Sequence, residues 1–250
     1  MHTRIFVSVF LSMLLASCAT VTPEQKDDKD PLQAFNRSMW DFNYNVLDKH
    51  ILKPAAKGYQ TIMPQPARTG FLNMANNLEE PSAIVNNLLQ AKPGDAAIST
   101  GRFVVNSTFG LLGLVDVAKY AGMEAKHEEF GEVLGKWGVG NGPYLMVPGM
   151  GPTDVRTSVG DFVDSAYFPL DDLTIWASAF RISVKALEGR ISLMAQEQLL
   201  EDSFDPYVFV KEAYFQRTLY KVYDGNPPRA KEVTKEEEED FENFLNDLSQ

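Results

Sequence analysis

The segment from Asp30 to Ile51 carries apolar side chains at helical spacing on more than one side. One stripe consists of Leu32, Phe35, Met39, Phe42 and Val46, and Trp40, Tyr44 and Leu47 lie off it. The polar residues between them are mostly uncharged, whereas a surface helix of a soluble protein usually presents a charged outer face. The pattern therefore predicts an amphipathic helix with more apolar surface than packing against a single core would bury.

Similar periodicity predicts helices along most of the chain. Asp30-Pro31 and Asp205-Pro206 both have the pattern of a carboxylate cap followed by proline at the first helical position. Apolar residues three or four apart predict one long helix of about 26 residues over 173–198. Residues 135–154 hold so many glycines and prolines that we expect no regular element there. Alternating strand patterns are nearly absent, so the predicted fold class is all-α with Gly/Pro-rich loops.

A basic start and a short apolar run precede Cys18, the single cysteine of the chain. The run is shorter than the roughly 20 residues of a membrane span, and this is typical of a signal peptide over 1–17. Its end resembles the lipobox of bacterial lipoproteins, which implies a covalent diacylglycerol and an N-acyl chain on Cys18 and a lipidated tether over 18–29. Ala19 after the cysteine implies sorting to the outer membrane. The alternative is a secreted protein whose Cys18 is incidental.

Composition limits the classes of function. The formal net charge is −11, so nucleic acid is a poor partner. With three histidines and one cysteine, the sequence offers neither a cluster of metal ligands nor a nucleophile with its base. The glycines of 138–142 lack the spacing of a phosphate-binding loop. We therefore expect no enzyme activity, no metal and no bound cofactor.

A charged stretch, residues 119–133, interrupts apolar segments. Loops on rigid scaffolds often carry function, and Gly122 and Gly131 supply the backbone freedom of hinges. We therefore expect a mobile gating loop, with His127 among its polar groups.

The last unit of the chain, residues 226–250, is strongly acidic and follows a main domain over 30–225. Acidic runs are usually solvated tails, but four apolar residues recur here at helical spacing behind the acidic run. They are Phe241, Phe244, Leu245 and Leu248. The pattern is consistent with a solvated tail or with a short amphipathic helix that recruits a basic partner.

Four motifs occur in order over roughly residues 30–222: DPLQAFNRSMWDFNYNV, LKPAAKGYQTIMPQPARTG, NNLEEPSAIVNNLLQAKP and HEEFGEVLGKWGVGNGPYLMVPGMGPTDVR. In this order they resemble the MlaA/VacJ family of outer-membrane lipoproteins. The resemblance implies a ring-like assembly of amphipathic helices lying in the membrane, embedded from the periplasmic side beside trimeric porins. It also implies a polar central channel through which mislocalised phospholipids leave the outer leaflet for a periplasmic lipid-carrier protein.

The first helix supplies the candidate channel or ring-packing residues. We expect Phe35, Met39 and Phe42 to pack into the ring, while Asn36 and Asn43 belong to uncharged polar faces that suit the path of a lipid headgroup. The expected function is a passive conduit that maintains outer-membrane lipid asymmetry by retrograde phospholipid transport. A structural lipoprotein that braces porins without moving lipid is the alternative that these residues leave open.

Overall fold

The computed structural model of the chain describes residues 27, 29–167 and 169–228. The signal peptide over 1–17, the lipidation site Cys18 and the apolar residues of the acidic tail all lie outside the described residues. The tether over 18–29 is described only at its end. The predictions made for these segments therefore stay predictions.

Helices make up most of the described region, and a two-stranded sheet interrupts them. The helices are α1 (Gln33–Asp41), α2 (Lys53–Ile62), α3 (Gln65–Asn77), α4 (Glu80–Leu89), α5 (Pro93–Thr108), α6 (Val117–Tyr120), α7 (Phe130–Lys136), α8 (Val155–Ser165), α9 (Ile175–Leu193), α10 (Glu197–Glu201) and α11 (Pro206–Val222). A π-helix, Phe42–Leu52, continues α1 into α2, and a 3-10 turn, Met194–Gln196, joins α9 to α10. The predicted mainly helical fold is confirmed.

The two predicted carboxylate caps, Asp205 and Asp30, have different roles in the structure. Asp205 caps α11 as predicted, since its Oδ1 accepts hydrogen bonds from the backbone N–H groups of Tyr207 and Val208. The same prediction was wrong for Asp30, because α1 begins at Gln33 without a side-chain cap. Asp30 is instead buried and accepts hydrogen bonds from the side chains of Asn36 and Tyr207.

The long helix predicted over 173–198 begins two residues later and changes geometry near its end. The side chain of Thr174 caps its first turn by accepting a hydrogen bond from the N–H of Ala177. The α-helical hydrogen bonds stop at Leu193, the 3-10 turn follows, and α10 resumes the helix.

The Gly/Pro-rich segment forms a β-hairpin, so the expectation of no regular element there was wrong. Strand β1 (Tyr144–Val147) pairs antiparallel with β2 (Gly151–Asp154), with Tyr144 opposite Asp154. The glycines are needed for the turn, because Gly149 and Gly151 have φ of 74° and 93°, a region that L side chains rarely adopt. The hairpin packs against α1 and α11 around a small core of Tyr144, Met146 and Tyr207.

The helices and the hairpin form a closed circuit of packed neighbours. From α1 the contacts run to β1, through the hairpin to α11, and then to α7, α4, α5 and α3. From α3 they continue to α9 and α2, and the π-helix leads from α2 back to α1. The circuit closes on itself, which agrees with the ring-like arrangement expected from the sequence.

Ion pairs fasten α9 to its neighbours in the circuit. Arg190 binds both carboxylate oxygens of Asp48 on the π-helix, at 2.6 and 2.9 Å, and Arg68 on α3 binds Glu188 at 2.8 Å through both oxygens. Bidentate guanidinium–carboxylate pairs of this kind are directional and strong. They fix the angle at which α9 crosses the helices beside it.

Polar groups are buried and apolar groups are exposed to an unusual degree in the described part of the chain. Fully buried side chains include Asn86, Asn87 and Glu80, whereas Trp176 and Ile62 are both 82% exposed. Large exposed apolar surface marks contact with a membrane or a partner. None of the helices in the described residues combines the length and apolar character needed to cross a bilayer.

Candidate functional site

The ring encloses a polar cavity of about 450 Å³. Helices α3, α4, α8, α9 and α11 contribute to its wall, together with residues 127–129 just before α7. Its charged side chains are both acidic, such as Glu79 and Asp164, and basic, such as Arg181 and Lys185. The interior of the ring is therefore a polar compartment inside an apolar exterior.

A second cavity of about 380 Å³ adjoins the first, between α7, α8, α11 and the hairpin. The two cavities share four lining residues, which are Glu129, Asp161, Arg217 and Lys221. Because the same side chains face both spaces, the cavities are adjoining chambers of one polar interior, and these four residues stand at their junction.

Most charges in the first chamber are matched by opposite charges. Glu79 accepts hydrogen bonds from Arg181 at 2.7 Å and from Lys185 at 2.6 and 2.5 Å, which links the start of α4 to α9. Lys221 lies 2.7 Å from a carboxylate oxygen of Glu129 and 3.1 Å from one of Glu132. Burial lowers the pKa of Lys221, but these two carboxylates outweigh it and hold the pKa above its usual value.

Two aspartates of α8 face the chamber in different surroundings. Asp164 accepts hydrogen bonds from Ser82 at 2.6 Å, from Asn86 at 2.7 Å and from the N–H of Phe130 at 2.8 Å. Burial raises its pKa, and these three donors oppose the shift. Burial, together with the nearby Glu129 and Asp164, raises the pKa of Asp161 to about 6. Lys221 opposes this shift without cancelling it, so the charge of Asp161 is only partly compensated.

The amides of α4 fix the segment that the sequence predicted to be a gating loop. Asn86 donates to the carbonyl of Glu128 at 3.0 Å, and Asn87 donates to that of Lys126 at 3.1 Å. His127, between them, is exposed and faces the first chamber. Buried amides that hold backbone carbonyls fasten a segment as secondary structure would. The segment thus lines the site, and its motion as a gate stays a prediction.

The two predicted hinge glycines have different surroundings. Gly122 has a φ of 78° with open space around it, as a flexible turn requires. Gly131 is buried in the first turn of α7 at the crossing with α8, where a Cβ on Gly160 would lie only 2.3 Å from its backbone nitrogen. The close approach thus requires glycine at 160, whereas a Cβ on Gly131 would meet nothing nearer than the Thr157 Cα at 3.4 Å, so the role of Gly131 as a hinge stays a prediction.

A family model described as MlaA lipoprotein matches residues 28–221 of the chain. The chain belongs to this family. Three relatives carry the name intermembrane phospholipid transport system lipoprotein MlaA. Those of Shigella flexneri and Escherichia coli (strain K12) are each 40% identical over 87% of this chain and 88% of their own length. That of Haemophilus influenzae is 37% identical over 93% of this chain and 96% of its own.

A solved structure also resembles this member of the MlaA family. That structure comes from work on the structural basis for maintenance of bacterial outer membrane lipid asymmetry, and it is 44% identical in sequence. The TM-score is 0.73, with 79% of this chain and 99% of that chain covered. The match covers nearly all of that chain, so the ring described above is the architecture of a known relative.

The candidate residues of α1 and the π-helix lie in the wall of the ring. Asn36 is fully buried, donates to the Tyr144 carbonyl at 3.0 Å and accepts from the N–H of Met146 at 2.9 Å. Asn43 repeats this at the turn of the hairpin, donating to the Val147 carbonyl and accepting from the N–H of Gly149. Both asparagines bind the hairpin to the helix, and neither lines the two chambers.

The apolar candidates of the same region divide between packing and exposure. Met39 packs against the core at the hairpin, and Phe35 is half-buried. Phe42 is 40% exposed. It begins the π-helix, whose wider turn shifts the residues after it away from the 3.6-residue period of the sequence stripe. Phe42 therefore contributes to the outer apolar surface as well as to the ring.

Sequence reasoning did not identify the charged residues at the junction of the chambers. A signal for them exists in the spacing of charges inside otherwise apolar helices. Asp161 and Asp164 are three residues apart in α8, and Arg217 and Lys221 are four apart in the aromatic-rich α11, so each pair shares a helix face. In a MlaA-family chain whose helices expose apolar surface, such faces mark the polar interior.

Proposed function

We propose that this chain is an outer-membrane lipoprotein that acts as a passive conduit for phospholipids. The observation that supports this most directly is the closed ring of helices with polar adjoining chambers inside and large apolar side chains outside. A phospholipid needs a polar path for its headgroup and an apolar surface for its tails, and a ring of this kind offers both. Two relatives that are named as phospholipid transport lipoproteins are 40% identical to this chain in sequence.

The proposed direction is retrograde. Mislocalised phospholipids leave the outer leaflet of the outer membrane, pass through the chambers and reach a periplasmic lipid-carrier protein. This movement preserves the lipid asymmetry of the outer membrane. The headgroup moves from one set of charged partners to the next within the ring, so the chain itself performs no covalent chemistry in this proposal.

Cys18 is the proposed anchor, through a diacylglycerol and an N-acyl chain. One acyl chain gives only marginal membrane binding and two or more hold a protein firmly. Cys18→Ala is expected to abolish labelling by radioactive palmitate and to leave the signal peptide uncleaved. A labelled Cys18→Ala protein would contradict the anchor.

The proposed protein partners are trimeric porins beside the ring and the carrier below it. The exposed apolar surface offers area for the porins, and the acidic residues after 228 offer charge to a basic carrier. Deleting 236–250 is expected to weaken carrier binding at low salt while porin association persists. Equal carrier affinity with and without the tail would show that the tail is only a solvated end.

Filling the first chamber tests transport against a purely structural role. Ser165 is exposed, lines this chamber and lies on α8, so Ser165→Trp should obstruct the path with little effect on folding. Ser158→Trp on the same helix is the matched control, because Ser158 is exposed but lines neither chamber. We expect outer-leaflet phospholipid to accumulate in cells with Ser165→Trp alone. Normal asymmetry in cells with folded Ser165→Trp would favour a lipoprotein that braces porins without moving lipid.

A further inference from the structure

Two opposite charges at the junction of the chambers have no ion-pair partner among the described residues. They are Asp161 on α8 and Arg217 on α11, and both line both chambers. Within the residues that the structure describes, neither side chain makes a salt bridge, and none of the described side-chain hydrogen bonds involves either of them.

The other charged groups of the two chambers have ion-pair or hydrogen-bond partners in the protein, although burial still raises the pKa of Glu132 to about 8. Glu79 pairs with Arg181 and Lys185, and Lys221 pairs with Glu129 and Glu132. Glu128 accepts from Lys92 at 2.8 Å and from Gln90 at 2.6 Å.

The last two charged side chains of the lining, Asp164 and Arg156, make hydrogen bonds with the protein. Asp164 has three donors, and Arg156 donates to the carbonyl of Val139 at 3.0 Å. Among the charged lining residues, Asp161 and Arg217 are therefore the two that make neither an ion pair nor a side-chain hydrogen bond with the described residues.

Both side chains are exposed at the junction of the chambers, so a ligand that enters the chambers can reach them. Burial and the neighbouring Glu129 and Asp164 raise the pKa of Asp161 to about 6 although Lys221 opposes the shift, so a further cation beside Asp161 would stabilise its carboxylate. Guanidinium groups bind phosphate oxygens through paired hydrogen bonds, and carboxylates bind ammonium groups. A ligand that carries both a phosphate and an ammonium group matches the two residues together.

We propose that Asp161 and Arg217 recognise a zwitterionic phospholipid headgroup, with the phosphate on Arg217 and the ammonium group on Asp161. This inference rests on the proposed conduit function and names the class of lipid that it prefers. A headgroup with phosphate but no cation, as in phosphatidylglycerol, satisfies Arg217 and leaves Asp161 uncompensated. The site thus discriminates by the second charge of the headgroup.

The test uses the full-length lipoprotein in detergent, depleted of lipid and incubated with mixed micelles. The micelles contain equal amounts of phosphatidylethanolamine and phosphatidylglycerol with identical acyl chains, and the lipid that stays with the repurified protein is quantified by headgroup. We expect the unaltered protein to enrich phosphatidylethanolamine by roughly 1.5- to fivefold, the range for an exposed ion pair. Asp161→Asn should bind both lipids equally, and Arg217→Gln should bind less of both.

Asp172→Asn is the matched control, because Asp172 is exposed and lines neither chamber. It should keep the enrichment of the unaltered protein. Equal binding of the two lipids by the unaltered protein, or the same enrichment in Asp161→Asn, would overturn the inference while leaving the conduit in place. An unaltered protein that retains no phospholipid would refute the conduit and this inference with it. If Arg217→Gln fails to fold, the Asp161→Asn comparison decides the question.

Discussion

Asn36 is the residue whose loss should most damage the closure of the ring. Its side chain is fully buried and joins three groups: the Asp30 carboxylate at 2.7 Å, the Tyr144 carbonyl at 3.0 Å and the Met146 N–H at 2.9 Å. Asn36→Ala removes all three contacts and leaves buried polar groups on the hairpin without partners. Asp30 keeps the hydroxyl of Tyr207 as a donor, so the main cost falls on β1.

A buried polar group that loses its partner costs about 1–3 kcal/mol. Two such groups on β1 give a loss of about 2–6 kcal/mol in the free energy of unfolding. For a chain of this size, 1 kcal/mol corresponds to about 2–4 °C in Tm. The expected fall in Tm is therefore about 4–24 °C.

Thermal unfolding of the detergent-solubilised protein measures this effect, with Asn45→Ala as the control. Asn45 is exposed on the π-helix and contacts only Lys49 among the described side chains, so its loss should change stability by less than about 0.5 kcal/mol. A Tm for Asn36→Ala that matches Asn45→Ala would refute the assignment of Asn36 as the link between α1 and the hairpin. If Asn36→Ala kept the Tm of the unaltered protein but impaired lipid transport, the result would support the sequence-based expectation that Asn36 faces the lipid path.

Three further predictions follow from the packing and charge of other residues. Gly160→Ala should prevent α7 from packing on α8, because its Cβ would lie 2.3 Å from the nitrogen of Gly131. The control is Gly58→Ala, whose Cβ meets nothing within 4 Å. Equal protease resistance of the two variants would contradict the close crossing of α7 and α8. Phe42→Ala should cost about 1–2 kcal/mol in urea unfolding, less than for a buried phenylalanine, since the side chain is 40% exposed; a loss well above this would place Phe42 in the core. Asp161→Asn should raise the Tm of the lipid-free protein at pH 7.5, because the folded state raises the Asp161 pKa to about 6 and so disfavours its ionised form. That gain should shrink as the pH falls below about 6 towards the unfolded-state pKa, and a gain that does not change with pH would indicate a packing effect.

Local signals in the sequence predict the helices well. The cap and proline at Asp205-Pro206 begin α11 as expected, because the capping contacts join residues only two and three positions apart. The same dipeptide at Asp30 fails because a longer-range partner wins: the carboxylate binds Tyr207, which is 177 positions away. Capping is a local preference, and tertiary hydrogen bonds override it.

The periodicity of apolar residues in the sequence predicts neither the hairpin nor the polar chambers. Residues 144–154 have turn-forming glycines and prolines throughout, and their pairing depends on Asn36 and Asn43, each more than 100 positions away. The lining residues of the first chamber come from five helices and one loop, so only the closed circuit brings them together. The sequence does show the charged faces of α8 and α11, but it does not show that those faces point inward.

Photocrosslinking from the first chamber tests the central claim that phospholipid passes through the polar interior. A photoreactive amino acid in place of His127, which is exposed and lines this chamber, is introduced into cells grown with radioactive phosphate. We expect a light-dependent crosslink to phospholipid that disappears when Ser165→Trp fills the same chamber. No lipid crosslink at this position, or a crosslink of equal yield in the filled chamber, would show that phospholipid does not travel through the ring.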